Sequence, residues 1–410
     1  MYPKKVMLHD QYPEEVMLSL GRSPNPQAMH IYYMVQTAQV YPLNEEQLRS
    51  IRLHLKGTIG DDVSNYPILV GPEDLPFEQM PTRSQLQNVL KEDIGDPNFF
   101  RFAPSRGSPE LDVEATFELL QNLLDPFYSN RGAVIHMTSP TLNGLRIDTP
   151  ATHIPGTLGI SDIQLTLAPN TEVFELEYFA YTRVIPLLLG TQVVVTFPPV
   201  PANLSALRNS YENESSMPSV FMHTSPSLSH GIALVQKAGE TLVLPPFWSH
   251  VICCTQTCVS AAYSVASVAG VADRARHIDL LRAVMQIWPD KSKEQSELTK
   301  YARELASHMD RVLNGKIEGY AKTDKFALPL WKGWDGDFRD KFGGLCMGIE
   351  DQEERTKIRE MVNMALVKFV DAARKKRPEC RMCHVRIEMM KGDGTAEERL
   401  AQHVRAVHGV

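Results

Sequence analysis

Gly239-Glu240-Thr241-Leu242-Val243-Leu244-Pro245-Pro246-Phe247-Trp248-Ser249-His250 is the stretch on which the reading of this chain turns. An acidic turn leads into a short apolar run, a Pro-Pro-aromatic corner interrupts it, and a histidine opens the next run, Val251–Cys254. Proline cannot donate to a sheet ladder, so the Pro pair ends one strand and turns the chain before the next begins. On either side lie further runs of strand length: Ala133–Met137, Ile163–Ala168, Val173–Phe179, Val184–Leu189, Val193–Phe197, Ile232–Val235 and Val259–Val265. They are rich in Val, Ile, Thr and aromatic residues, and Gly, Pro, Asn and Ser separate them. Many short strands with frequent turn signals predict an all-β barrel or sandwich over residues 131–270.

The flanks have a different texture. Residues 1–130 are mixed and Pro-rich, with a predicted helix at Leu111–Leu124, where Val113, Phe117, Leu120 and Leu124 recur at helical spacing. Residues 271–377 read as helical. Ile278, Leu281, Val284, Met285 and Trp288 form one apolar stripe, and Ile358, Met361, Val362, Ala365, Leu366, Phe369 and Val370 form another; both are expected to pack in a core. Residues 378–410 form a short segment carrying Cys and His. Asn209–Ser229, rich in Ser and Asn, reads as a mobile loop between strands. The expected class is α+β, a β-barrel with helical flanks and a small metal-binding tail.

The composition is that of a soluble chain: 410 residues, 43% hydrophobic and 22% charged, with a formal net charge of −7. A membrane span needs roughly 18–20 consecutive, predominantly apolar residues. The charge-free stretches Val184–Leu207 and Thr241–Ala272 are broken by Pro, Gln, Asn, Ser and Thr, so no membrane span is expected. Met1–Asp10 carries Lys4 and Lys5 with no apolar core behind them, and six cysteines are too few for a disulfide scaffold. An intracellular, reducing address is the expectation. Net acidity argues against a chain built wholly around nucleic acid, although Arg374-Lys375-Lys376-Arg377 is a local basic run. Such a run reads either as a solvated helix end or as an import signal or phosphate-contacting patch.

Cys380-x2-Cys383 followed by His403-x4-His408 predicts a structural Zn²⁺ site. Thiolates two residues apart can grip one ion from a tight turn, and two imidazoles complete the tetrahedral number. A segment this small buries little surface alone, so a metal would supply the energy that folds it. His384 is a competing ligand.

The Glu240–His250 corner, followed by Cys258–Val265, resembles the closing strands of a JmjC (Jumonji C) domain, a cupin-type double-stranded β-helix. Gly190-Thr191-Gln192-Val193-Val194-Val195-Thr196-Phe197-Pro198-Pro199 is similar to that family's strand ending in a Pro-Pro pair. Leu165–Pro169 with Val173–Phe179 resembles the lead-in to its first metal-binding strand, as written in fungal members. The likeness covers residues 131–270, and it implies an Fe(II) held by two His and one carboxylate, with His250 as the distal ligand and 2-oxoglutarate as cosubstrate. This chain departs from that pattern. Gln192 stands where the resemblance places the lysine that pairs with 2-oxoglutarate. Either Glu177 or Glu175 stands where it places the first histidine, leaving Phe179 or Glu177 in the acidic slot.

Gln192 can donate a hydrogen bond but supplies no cation. Such a bond contributes about 1.5–3 kcal/mol, whereas a buried ion pair lost from one side costs about 3–5 kcal/mol. Arg183 is the nearest cation in sequence that could substitute. Period-two alternation places Val173, Glu175, Glu177 and Phe179 on one face, either toward solvent or into the barrel mouth. Cys254 and Cys258 are expected on the side of His250, as inert core thiols or as a thiol–His pair. Two functions are carried forward. The first is a scaffold or chromatin-associated binding module, nuclear, with an inactive oxygenase site and protein partners. The second is a working Fe(II)/2-oxoglutarate protein hydroxylase or histone demethylase with a remodelled triad. For the tail, Cys380→Ala is expected to release about one zinc per chain by metal analysis; unchanged zinc content would discard the site.

Overall fold

A computed structural model describes residues 14–42, 66–71, 82–95, 102–104, 134–138, 156–213, 219–286, 291–315 and 324–374, with positions 385, 399, 402–403 and 406–407. The expected helix Leu111–Leu124, Trp288, the basic residues Lys375, Lys376 and Arg377, and Cys380, Cys383, His384 and His408 lie outside the described residues. The chain is mixed α and β with antiparallel sheets. It divides into two compact units, one within 1–154 and 159–265, the other within 155–158 and 266–410.

The first unit is built on the apolar runs. Its strands are β1 (Val40–Pro42), β2 (Ile68–Val70), β3 (Phe102–Pro104), β4 (Ile135–Thr138), β5 (Thr157–Ile160), β6 (Gln164–Ala168), β7 (Glu177–Tyr178), β8 (Thr182–Leu189), β9 (Thr191–Phe197), β10 (Gly231–Lys237), β11 (Thr241–Leu244), β12 (Ser249–Cys254) and β13 (Cys258–Ser267). One sheet runs β1-β10-β9-β12-β7. The other runs β2-β11-β8-β13-β6-β4-β3, with β5 on β13 off that path. Among the described residues, β1 pairs with β10 in parallel, and the other pairings carrying the argument below are antiparallel.

The two sheets share one apolar core. Val194, Ile232 and Leu234 from the first meet Ile185, Leu242, Leu244 and Ala262 from the second, closed by Tyr66 and Trp248. A second cluster joins Leu187, Ala168, Cys254, Cys258 and Val134, with Phe174 against it. The chain passes from β8 to β9 through Gly190 at φ +91°, where a Cβ would lie 2.3 Å from the Thr257 carbonyl oxygen. Only glycine fits that turn.

Helices α1 (Glu14–Gly21) and α2 (Pro26–Gln36) precede the strands, and α3 (Arg83–Gly95) lies between β2 and β3. Between β9 and β10 the expected mobile loop is instead largely helical. Helix α4 (Pro201–Glu212) covers its first residues, α5 (Val220–Thr224) its later ones, and a 3₁₀ turn spans Ser225–Ser227. Pro201 starts α4 at the first helical turn, where its missing N–H costs nothing. The polar residues that suggested a loop are used locally: Ser219 caps α5 through the Met222 N–H, and Thr224 Oγ1 donates to Ser210 Oγ at 2.6 Å in a buried pair.

The second unit is helical: α6 (Gly270–Arg276), α7 (Ile278–Gln286), α8 (Lys291–Asn314), α9 (Asp324–Gly333), a π-turn at Trp334–Phe338, α10 (Arg339–Met347) and α11 (Gln352–Arg374). Helices α8 and α11 pack along each other. Ile358, Val362, Ala365, Leu366 and Phe369 of the predicted stripe are buried, while Met361 is exposed. In α7, Ile278 and Leu281 are buried as the stripe predicts. Among the described residues no helix is long and apolar enough to cross a membrane. Truncating Leu234→Ala is expected to cost about 2–5 kcal/mol by urea denaturation. Met364→Ala, on an exposed helix face, should stay within about 0.5 kcal/mol. Equal losses would contradict the inter-sheet core.

Candidate functional site

Directly opposed residues of an antiparallel pair lie on the same side of a sheet. His250 on β12 is opposed by Glu177 on β7 and by Thr196 on β9, and Thr196 is opposed by Ile232 on β10. The next row on that side is Ile252, Val194 and Leu234, and the third is Cys254, Gln192 and Gln236. Val194, Ile232 and Leu234 lie in the inter-sheet core, so all three rows face the second sheet. On β8 the facing positions are Arg183, Ile185 and Leu187, because the last two belong to the inter-sheet clusters. His250, Glu177 and Arg183 therefore meet at one end of the sandwich. Gln192 shares their side but lies deeper, four residues or about 13 Å along its strand from Thr196.

The two glutamates do not stay together. Val173 bridges Cys253, and Glu177 pairs with His250, so four positions on one strand span three on the other. One extra residue enters between, as in a β-bulge, and the alternation shifts. This overturns the expected common face for Val173, Glu175, Glu177 and Phe179. The Glu175 carboxylate accepts from Gln27 Nε2 at 2.8 Å, Ser219 Oγ at 3.1 Å and the Phe221 N–H at 3.2 Å, which ties it to the start of α5. Glu177 stays opposite His250 and is exposed.

Phe179 follows Glu177 on the same side and comes against His250. Their ring centroids are 5.5 Å apart at 33°. The Arg183 guanidinium carbon lies 4.5 Å from the centroid of the same Phe179 ring, a cation–π contact. Arg183 is also held by neutral acceptors: Nη1 donates to Ser264 Oγ at 3.2 Å and Nη2 to Gln164 Oε1 at 3.0 Å. Burial pulls its pKa down to about 10 against the attraction of Glu177, and it remains a cation at neutral pH.

His250 is 4% exposed. Burial, with Arg183 adding to it, pushes its imidazole down to about 4, so the ring is neutral at pH 7. The Trp248 backbone offsets part of that shift, yet Nδ1 has no partner in hydrogen-bond geometry among the described residues. The corner leading to His250 is strained: Phe247 adopts φ +64°, unusual for a bulky residue. Its N–H donates to the Phe179 carbonyl at 2.7 Å, and its ring stacks on Tyr178 at 6.0 Å and 22°. Burial and this bond hold the strain.

His136 on β4 also borders this end. Its Nδ1 meets Thr166 Oγ1 at 3.0 Å, its ring lies 6.0 Å from that of Phe174, and burial with the charge of Arg183 lowers its pKa. The strand carrying His136 was legible in the sequence, but its neighbours come from β6 and β8, far along the chain. Nothing local marked it.

The Gln192 amide is committed to the framework. Its Nε2 donates to Gln236 Oε1 at 2.8 Å, and Gln236 Nε2 donates to Ile185 O at 2.7 Å and Glu240 O at 2.9 Å. Cys254 and Cys258 fall together in the core as expected. Burial pushes the Cys253 thiol up to about 12, and the Cys258 contact with burial raises that of Cys254. Neither is a thiolate at neutral pH, so a thiol–His nucleophile is not formed. Of the tail ligands, His403 alone lies among the described residues, in a helical turn. Arg374 ends α11.

A divalent ion at this end would meet one neutral imidazole and one carboxylate, with an aromatic ring against the imidazole and a guanidinium nearby. Two donors hold such ions weakly, and the Arg183 charge repels a cation. Among the described residues, those at this end do not supply three iron ligands. Among the described residues, no three His, Cys, Asp or Glu side chains converge as metal ligands.

No protein-family model matches the chain, and no curated protein matches it.

Below about pH 6.5 the unfolded chain protonates His250 and the folded chain does not until about pH 4. The buried neutral ring therefore stabilises fully above the unfolded pKa and loses its contribution as pH falls through that window. The difference in unfolding free energy between His250→Gln and the native chain should change by about 3 kcal/mol from pH 7 to pH 4. The native chain is the one that loses stability. A pH-independent difference would contradict a buried neutral imidazole.

Proposed function

We propose that this chain is a JmjC-like protein whose oxygenase site has been converted to a structural contact, and that it acts as a binding module or scaffold. The observation that carries the reading is the Arg183–Phe179–His250 group: an aromatic ring rests on the imidazole that would be the distal iron ligand. The double-stranded β-helix finds support in the order of the strands. From β6 to β13 the chain visits second, first, second, first, then first, second, first, second sheet, the wrapping a jelly-roll shell requires. His250 opposite Glu177, with Gln192 on the same side two rows deeper, agrees with the family positions of the metal ligands and the cosubstrate lysine.

The chemistry at those positions points away from oxidation. Fe(II) and 2-oxoglutarate together would bring an activated oxygen species to a bound substrate. Here Glu177 and His250 are the donors, Phe179 supplies none, and Gln192 is already bonded to Gln236. Val194, Ile252 and Leu234 occupy the row between His250 and Gln192 on the inner face. An apolar row there leaves the two polar positions unconnected.

In this reading the C-terminal Cys380, Cys383, His403 and His408 hold a structural Zn²⁺. The zinc segment and the basic run Arg374–Arg377 serve contacts with protein or nucleic acid partners, in the nucleus and at chromatin, as the resemblance implies. Support for this part is the ligand spacing and the charge of the run. The test is reconstitution of purified, metal-stripped protein with Fe(II), ascorbate and 2-oxoglutarate under controlled oxygen. The reading expects no stoichiometric iron beyond the zinc and no succinate above a protein-free control. Iron retained at about one per chain with succinate release would establish the oxygenase instead.

A further inference from the structure

We infer that helix α11 is a docking face for a second copy of this chain, packed antiparallel across a two-fold axis at Met364. The inference lies in the helical unit and does not depend on whether the β unit oxidises anything. A helix packed on a globular unit ordinarily turns one apolar stripe inward and polar residues outward. Helix α11 meets the first condition with Ile358, Val362, Ala365, Leu366 and Phe369, all buried. It breaks the second. Met361, Met364 and Val367 are 38%, 55% and 45% exposed, and their three-residue spacing sets them in one outward band. Met361 and Met364 border an open groove whose other wall is Ser307 and Asp310 of α8. Single exposed apolar residues are ordinary, but a contiguous band rimmed by polar side chains marks a contact surface, and methionine is enriched in such surfaces.

This face is held in place from behind. Arg303 of α8 pairs with Glu354 of α11 at 2.8 Å, and Asn314 Nδ2 of α8 donates to the Ala365 carbonyl at 2.7 Å. What identifies the occupant is the charge at each end of the band. Glu360 and Lys368, both exposed, stand four residues before and four after Met364, about 6 Å along the axis on either side. Among the described residues no ion pair involves either one, whereas Lys357 nearby is held by Glu353 at 2.6 Å. In an antiparallel pair with the two Met364 side chains facing, Met361 of each copy comes level with Val367 of the other. Glu360 of each copy then comes level with Lys368 of the other, and symmetry makes this contact twice. A band that reads acidic, apolar, apolar, apolar, basic is complementary to its own reverse, which is what a two-fold interface requires. A parallel pair would set Glu360 against Glu360 and Lys368 against Lys368. One helix pair buries less than the roughly 1,200–2,000 Å² of a stable interface, so the dimer is a weak one that forms with concentration.

The experiment is sedimentation equilibrium on the purified full-length chain and on exposed-position variants. The native chain should pass from monomer to dimer between about 1 and 300 μM, the regime of small interfaces. Met364→Lys places two ammonium groups at the axis and should abolish the dimer. Glu360→Lys and Lys368→Glu each set like charges level with one another at both ends, and each should weaken dimerisation about tenfold or more. Mixed in equal amounts, these two variants regain both opposite-charge contacts, so a heterodimer should form at close to native affinity. A native chain that stays monomeric throughout would overturn the inference and leave the face to a different protein. Dimerisation untouched by the single reversals, or no recovery on mixing, would also overturn it by placing the contact elsewhere or in another register. Retained iron with succinate release would remove the binding-module reading without altering any of these results, so the two fail separately.

Discussion

The tilted contact of the Phe179 ring with His250 is the constraint around which this end of the β unit is organised. It covers the imidazole, whose burial favours the neutral form, and it gives the Arg183 guanidinium an aromatic face beside the attraction of Glu177. The backbone is tied to the same point. Phe247, in a left-handed conformation two residues after the Pro245 turn, donates its N–H to the Phe179 carbonyl. The corner that delivers His250 and the segment that delivers Phe179 are thereby bonded to each other. Removing the ring would expose a buried histidine, free a guanidinium and leave a strained corner less supported.

Beneath this layer the inner face becomes apolar and then polar again. Ile252, Val194 and Leu234 separate the His250 level from the Gln192–Gln236 pair. A buried amide pair is stable where its groups are satisfied. Gln236 meets that condition by donating to two backbone carbonyls, which anchors β10 to β8 and to the turn before β11. A glutamine at such a level makes a framework bond rather than presenting a charge. The sandwich gains a buried cross-link between its two sheets there.

Much of the β unit was legible in the sequence, because runs of branched and aromatic residues between Gly and Pro turns report half-buried strands directly. The stripe Ile358–Phe369 was legible for the analogous helical reason. What escaped was non-local or depended on one inserted residue. Period-two alternation carries no mark of the irregularity between Val173 and Glu177, so it groups Glu175 with Glu177 although Glu175 bonds the start of α5. The Ser- and Asn-rich stretch Asn209–Ser229 reads as a loop because those side chains favour turns in isolation. In the fold, Ser219 caps a helix and Ser210 bonds Thr224. His136 gained its place only through pairing of β4 with β6.

The side of the sheet that the candidate residues share was legible from strand alternation. His250, Glu177 and Gln192 do fall on one side of their sheet, and Arg183 comes to the same end from the other sheet. Its contact with Phe179 was not visible, since it requires β7 and β8 to lie in different sheets with both side chains turned inward. The most direct measurement of the central claim is paramagnetic: Mn²⁺ added to the metal-stripped protein as a stand-in for Fe(II), with the His250 ring resonances followed by NMR. These signals are expected to remain sharp at equimolar Mn²⁺, because Phe179 and Arg183 deny the ion a seat beside the imidazole. Selective broadening of His250 together with Glu177 would show a metal centre there and contradict it.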